Sequence, residues 1–369
     1  MLEFAKSTGL SGESPPRRYL WTDAYAVCNY LTLHRVMGEE RFLELALKLV
    51  DQVHHVLGRH RPDDSRTGWI SGLSEDQGAL HPTAGGLRIG KKFNERPLHD
   101  RPDPQREWEQ DGQYFHYLTK WMHALASIAA HIKDDRFHQW AVELAIKAHQ
   151  AFTYGSVMGK RMYWKMSIDL SRPLVESMGH HDPLDGLVTA LELKTVANHK
   201  PAETIGLDHA IDDMVEICQH GEWATDDALG IGGLLDCGVR LIQMVYQRNI
   251  PFRHLLMKVL HDSQSSLLIF DESSLRYPAE YRLAFRELGL AIGLHGLESV
   301  VDMLEHDPEA SQFVQEILLD LSKADQIDQF WANRVHQQCR TWRDHQDINS
   351  VMLATSLISN ILFNSRFNE

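Results

Sequence analysis

Cysteine is scarce and scattered. Cys28, Cys218, Cys237 and Cys339 form no C-x-x-C pair and no zinc spacing, which argues against a disulfide scaffold or a zinc module. An excess of basic charge is missing too. The chain has 37 Lys and Arg against 51 Asp and Glu, a formal net charge of −14. That balance disfavours phosphate backbones and anionic membranes, which attract basic surfaces. The opening MLEFAKSTGLSGESPPRR has no apolar h-region. The most apolar late stretch, INSVMLATSLISNILF, is broken by Ser, Thr and Asn and is too short to span a bilayer comfortably. These features lead to the expectation of a soluble cytoplasmic protein with no nucleic-acid or membrane partner; oligomerisation is left open. Strand signals are few as well, which points away from sandwiches and doubly wound sheets.

Helical periodicity fills the chain, in segments divided by Gly, Pro or acidic punctuation. GEERFLELALKLVDQVHHVLG from Gly38 and KDDRFHQWAVELAIKAHQAF from Lys133 are visibly alike. Each has two acids, then Arg-Phe, then an amphipathic helix, and each follows a more apolar helix. The repeating unit is therefore a hairpin of one buried and one half-exposed helix. Further buried helices are expected from Asp185, Asp227, Tyr281 and Asp347, giving six inner helices and about five outer ones. The fold class is all-α, an (α/α)6 toroid of hairpins forming a single domain over residues 1–369. The polar segment 60–106 is a long insert or lid loop after the first hairpin.

The residues that open the inner helices form a pattern. They read YLWTDAY, WEQDGQYFHY, GHHDPLDG, EWATDDALG, AEYRLAFRE and WRDHQDIN. In a ring of hairpins wound one way, these six mouths converge on one pocket. It would hold Asp23, Asp111 and Asp182, with Trp21, Tyr114, His116, His180, His181, Asp185, Asp226, Asp227, Arg282, Arg286, Trp342, Arg343 and His345 around the ligand. Taken singly, an Asp before a helix is most often an N-cap and a Trp most often core. Capping, however, does not call for Trp, His and Arg beside the acid in repeat after repeat. Acids, aromatics and fork-donating Arg suit a polyhydroxylated ligand: carboxylates accept hydroxyl hydrogen bonds, and indole faces stack on sugar C–H surfaces.

Over Tyr19 to Phe363 this organisation resembles the six-hairpin glycosidase superfamily, the (α/α)6 barrels. LWTDAYA, Leu20 to Ala26, is similar to the W-x-D stretch of the unsaturated-uronyl hydrolases, whose Asp is a catalytic acid. By that resemblance Asp23 takes a candidate role. The sugar-epimerase branch of the fold uses paired histidines as acid and base, which would here be His180 or His181 with His345.

GGLRIGKK from Gly85 has the G-x-x-x-x-G-K spacing of a phosphate-binding loop. Lys92 stands where the magnesium-binding Ser or Thr belongs, and no strand precedes it. Its basic cluster, Arg88, Lys91, Lys92 and Arg96, either meets an anionic substrate group or is simply a solvated loop. No metal or cofactor is expected. The first expectation is a glycoside hydrolase acting on a short, acidic or neutral saccharide, with Asp111 as general acid and Asp23 or Asp182 as base. The alternatives are a sugar epimerase or isomerase working through paired histidines, and a non-catalytic sugar-binding or scaffolding toroid. On the first expectation, Asp111→Asn lowers kcat far more than it destabilises the fold.

Overall fold

The computed structural model describes residues 1–157, 159–195 and 201–362. The packing groups the helices into two compact units, Leu2–Gly221 and Glu222 onward. Both are built of helices, as the periodicity predicts.

In the first unit the order is α1 (Leu2–Ser7), α2 (Leu20–Met37), α3 (Glu40–Leu57), α4 (Glu75–Leu80), α5 (Pro104–Glu109), β1 (Gln113–Tyr114), α6 (Phe115–Ile132) and α7 (Asp135–Phe152). Next come β2 (Thr153–Ser156), β3 (Gly159–Met162), β4 (Lys165–Met166), β5 (Pro173–Val175), α8 (Asp182–Lys194) and α9 (Pro201–Cys218). Helices α2, α6 and α8 are the inner ones. Helix α6 packs against both of the others, and α3, α7 and α9 are their outer partners. The difference lies in the side chains. Buried apolar residues on α3 are Phe42, Ala46, Leu49, Val50, Val53 and Leu57, a single stripe at helical spacing. On α2 the run Leu20–Ala24 is buried without a break. Fully burying one such aliphatic side chain contributes roughly 1.5–3 kcal/mol.

The second unit contains α10 (Ala228–Gln247), α11 (Arg253–Ile269), α12 (Ala284–Glu298), α13 (Pro308–Ile317), α14 (Leu321–Ala332), α15 (Arg340–Asp344) and α16 (Gln346–Leu362). Inner α12 packs against α10 and α16. A Cβ on Gly232 of α10 would lie 2.0 Å from the carbonyl oxygen of Gly289 on α12, so these helices meet backbone to backbone. Helix α10 is also the one described helix long and apolar enough to cross a membrane, and most of it is buried in the unit. The expected inner helices run slightly further than the described ones: Val196, Ala197 and Phe363 lie outside the described residues.

The insert is not structureless. It carries α4 and α5, and isolated bridges join Arg59 to Trp69 and Phe93 to Gln110. The strands fall mainly elsewhere. β1, β4 and β5 form a small antiparallel sheet with Tyr114 opposite Lys165, and β2 and β3 form a hairpin. Strands β4 and β5 thus lie beside the start of α6.

Buried histidines join the layers in each unit. His54 of α3 accepts a hydrogen bond from Trp121 Nε1 of α6 at 3.2 Å, and its ring meets the edges of Trp121 and Trp140. Burial pushes its pKa from near 6.5 to about 3, so it is neutral. In the second unit His295 of α12 contacts Asp328 of α14 at 3.0 Å, and Ser356 of α16 donates to the same carboxylate at 2.6 Å. The Asp328 hydrogen bond raises the pKa of His295.

Because the folded pKa of His54 lies below its unfolded one, its stabilisation is complete above about pH 6.5 and is lost as pH falls toward 3. The slope for this one proton is at most about 1.4 kcal/mol per pH unit. Resistance to urea should therefore weaken on going from about pH 6.5 to about pH 5, and His54→Gln should flatten that dependence. An unchanged slope in the variant would contradict a neutral buried His54.

Candidate functional site

Three helix mouths of the first unit come together. The hydroxyls of Tyr19, before α2, and Tyr117, in the first turn of α6, are 2.6 Å apart. The Trp21 ring lies 6.5 Å from Tyr117 and 4.8 Å from Tyr25. Burial and the neighbouring Tyr19 raise the Tyr117 pKa well above its ordinary value, so the Tyr117 hydroxyl stays neutral. His116 of α6 faces Asp182, the first residue of α8, with Nδ1 3.4 Å from Oδ1. Behind it, Asp185 accepts from Thr119 at 2.7 Å and from Lys120 at 3.0 Å, tying α8 to α6.

The ring of His116 stacks at 5.3 Å on Tyr114 and at 6.5 Å on Trp164, with Tyr117 edge-on at 4.9 Å. Two atoms of this cluster are buried without a hydrogen-bond partner, Nδ1 of His116 and Oδ2 of Asp182. Native proteins tolerate few such atoms, and those that persist often belong to working sites. Gly179 is packed so closely that a Cβ there would sit 2.4 Å from the Asp182 carboxyl carbon.

The other two expected carboxylates are differently engaged. Asp23 is buried, accepts from the Tyr19 backbone N–H at 2.9 Å and lies 3.5 Å from Arg18. Asp111, expected as general acid, has 0% exposure. Arg88 donates to it at 2.9 Å, Arg61 at 3.2 Å, and the backbone N–H groups of Gly90, Lys91 and Gly112 at 2.9, 3.3 and 3.2 Å. Five donors leave a sugar oxygen no place. Asp111 is the knot that fastens the insert to the start of α6.

The basic cluster divides accordingly. Arg88 is spent on Asp111, and Arg96 is paired with Glu107 at 2.9 Å. Lys92 lies over Phe93. Lys91 holds its ammonium 5.3 Å from the Tyr19 ring centre and 5.8 Å from that of Trp108, with no carboxylate in ion-pair range among the described residues.

His180 is exposed and His181 half-buried, with rings 4.6 Å apart. They belong to the first unit and His345 to the second. In that second unit Asp227 caps α10 through the Gly230 N–H at 3.0 Å and pairs with Arg286. Arg282 forks onto Glu287 and covers the Phe330 ring at 3.8 Å, a buried structural clamp completed by Trp331 Nε1. Trp342 is core, stacked on Trp331 at 5.6 Å. Asp226, Arg343 and His345 are exposed, with His345 5.5 Å from the Phe285 ring. Among the described residues no group of three or more His, Cys, Asp or Glu side chains is arranged to hold a metal ion.

Trp164 and Lys165 are not legible in the sequence as site residues. They sit in or beside a short strand between helices, where no periodic pattern marks them. Lys165 is fully buried, donating to the carbonyls of Glu107 and Gln110 and to the Glu107 carboxylate, and burial lowers its pKa. No protein-family model matches the chain, and no curated protein matches it.

The knot at Asp111 predicts a stability effect in place of the purely catalytic one. Asp111→Asn should cost roughly 3–5 kcal/mol, because it leaves the buried Arg88 guanidinium without its carboxylate partner. It should also open segment 60–106 to proteolysis. A variant as stable and as protease-resistant as the parent would restore Asp111 as a candidate for chemistry.

Proposed function

We propose that the protein is a carbohydrate-active enzyme whose reaction is reversible proton transfer, a sugar isomerase or epimerase. The observation that carries this is the His116–Asp182 pair, set among aromatic rings with unpartnered buried atoms on both members. Asp182 Oδ1 stands 3.4 Å from Nδ1, too far for a made hydrogen bond in this state but near enough to take one up and orient the imidazole when a substrate seats the ring. Nε2 has no hydrogen bond within the described chain and is the atom left to meet a substrate. In the open-chain sugar it would take the proton from the carbon beside the carbonyl. The C–H electron pair then forms the carbon–carbon double bond of an enediolate as the carbonyl electrons move onto oxygen, and the same proton or one from water is returned to carbon as that electron pair comes back. Histidine suits this work because its ordinary pKa is close to neutrality. Tyr19, Trp21, Tyr114, Tyr117 and Trp164 supply stacking faces, and the uncompensated Lys91 supports a substrate carrying an acidic group. Alternation of inner and outer helices within each unit supports a place among the six-hairpin (α/α)6 proteins. The four buried cysteines, all thiols, suit a cytosolic setting.

Glycoside hydrolysis is the second reading, favoured by the free Oδ2 of Asp182. It needs a further carboxyl about 5–9.5 Å away, and in the first unit Asp23 and Asp111 are already held by arginines.

Proton NMR in deuterated water, with neutral and acidic sugars and their oligomers, tests both. Isomerase chemistry should replace a carbon-bound proton by deuterium without cleavage, and His116→Asn should slow that exchange by about 10²–10⁴-fold. Asp182→Asn should slow it less. New anomeric signals from oligomers would instead establish hydrolysis, and exchange that survives in both variants would remove this pair from the mechanism.

A further inference from the structure

A cavity of about 350 Å³ lies beside the His116 ring stack, its wall formed in part by Trp108, Trp164, Tyr114, Pro173, Arg96 and Glu107. All of these belong to the first unit. Its size is at the lower end for small-molecule pockets, suited to a single ring rather than a long chain. Two of its aromatic residues are shared: Tyr114 and Trp164 line the cavity and also stack on His116. A ring in the cavity therefore lies against the same two aromatic side chains that pack on the imidazole. The third, Trp108, is 55% exposed and meets Trp164 edge-to-face at 5.5 Å. It presents an indole to solvent where burial in the core does not account for it. Polar groups in the wall are fixed in advance. Glu107 is held by Arg96 at 2.9 Å and by Lys165 at 3.2 Å, so its carboxylate and the guanidinium form a rigid acceptor–donor edge. Apolar faces beside such an edge match a pyranose, which is apolar on its C–H faces and rimmed with hydroxyls.

We infer that this cavity is a second sugar subsite, holding a pyranose ring bonded to the sugar that reacts at His116. The inference rests on the proton-transfer reading for its chemistry: the reacting sugar must have a free carbonyl, so the ring in the cavity is its glycosidic substituent. The substrate is then a reducing disaccharide or a longer chain with the same end.

Trp108→Ala is the test, since removing an exposed side chain should leave the fold and the His116–Asp182 pair intact. Deuterium exchange is followed with monosaccharides and reducing disaccharides, and saturation-transfer NMR reports which ring of the disaccharide touches protein. The expected result is a kcat/KM for disaccharide about tenfold lower in the variant, the size of one aromatic stacking contact. Monosaccharide exchange should be unchanged, and saturation of the distal ring should be lost. Equal losses for both sugars, or none for either, would overturn the subsite. Distal-ring contacts that depend on Trp108, without exchange in any sugar, would uphold the subsite and sink the proton-transfer reading. No saccharide contact at all would overturn both.

Discussion

One buried carboxylate holds the first unit's working end together. Asp111 is reached by two arginines and three backbone N–H groups, most of them from the insert that precedes it. A charge so deeply buried is tolerable only when it is fully paired and hydrogen-bonded, and removing a partner from such a group is strongly destabilising. The constraint propagates in both directions. Toward the N-terminus, Arg88 also donates to the carbonyls of Val56 and Arg59, pinning the end of α3. Toward the C-terminus, Asp111 lies two residues before β1, whose Tyr114 pairs with Lys165 and stacks on His116. The orientation of His116 is thus inherited from a carboxylate with no room for substrate.

The two buried histidines show how neighbours decide chemistry within one residue type. His54 sits among Trp rings and accepts a single hydrogen bond, so desolvation dominates and it is neutral. His295 has an Asp328 carboxylate at 3.0 Å, so the hydrogen bond outweighs desolvation and favours the charged ring. Helical spacing gives both the same appearance in the sequence, as polar residues on otherwise apolar faces.

Much of the helical plan is readable from the chain. The alternation of a wholly apolar helix with a striped one marks inner and outer positions, because one is covered on all sides and the other on one. Clustering of Trp21, Tyr114, His116 and Asp182 at helix starts is legible for the same reason: inner helices of successive hairpins run the same way and begin together. The role of Asp111 is not. An acid before an apolar helix looks alike whether it caps, catalyses or anchors, and the arginines that decide the matter lie 23 and 50 residues away in a loop with no period. Trp164 is equally silent, because a two-residue strand beside it shows no alternation long enough to register. Arg282 and Trp342 stand at helix mouths like ligand-binding residues, yet they pack against Glu287 and Trp331 in the core.

The glycine-rich turn of GGLRIGKK does what such turns do elsewhere, pointing successive backbone N–H groups, those of Gly90 and Lys91, at one oxygen of an anion. The anion is the chain's own Asp111. A loop shaped like a phosphate cradle is thereby filled from within, by a carboxylate tethered to the same chain. What looks in the sequence like a receptor for nucleotides is a self-occupied socket, and the resemblance reflects shared backbone electrostatics rather than shared cargo.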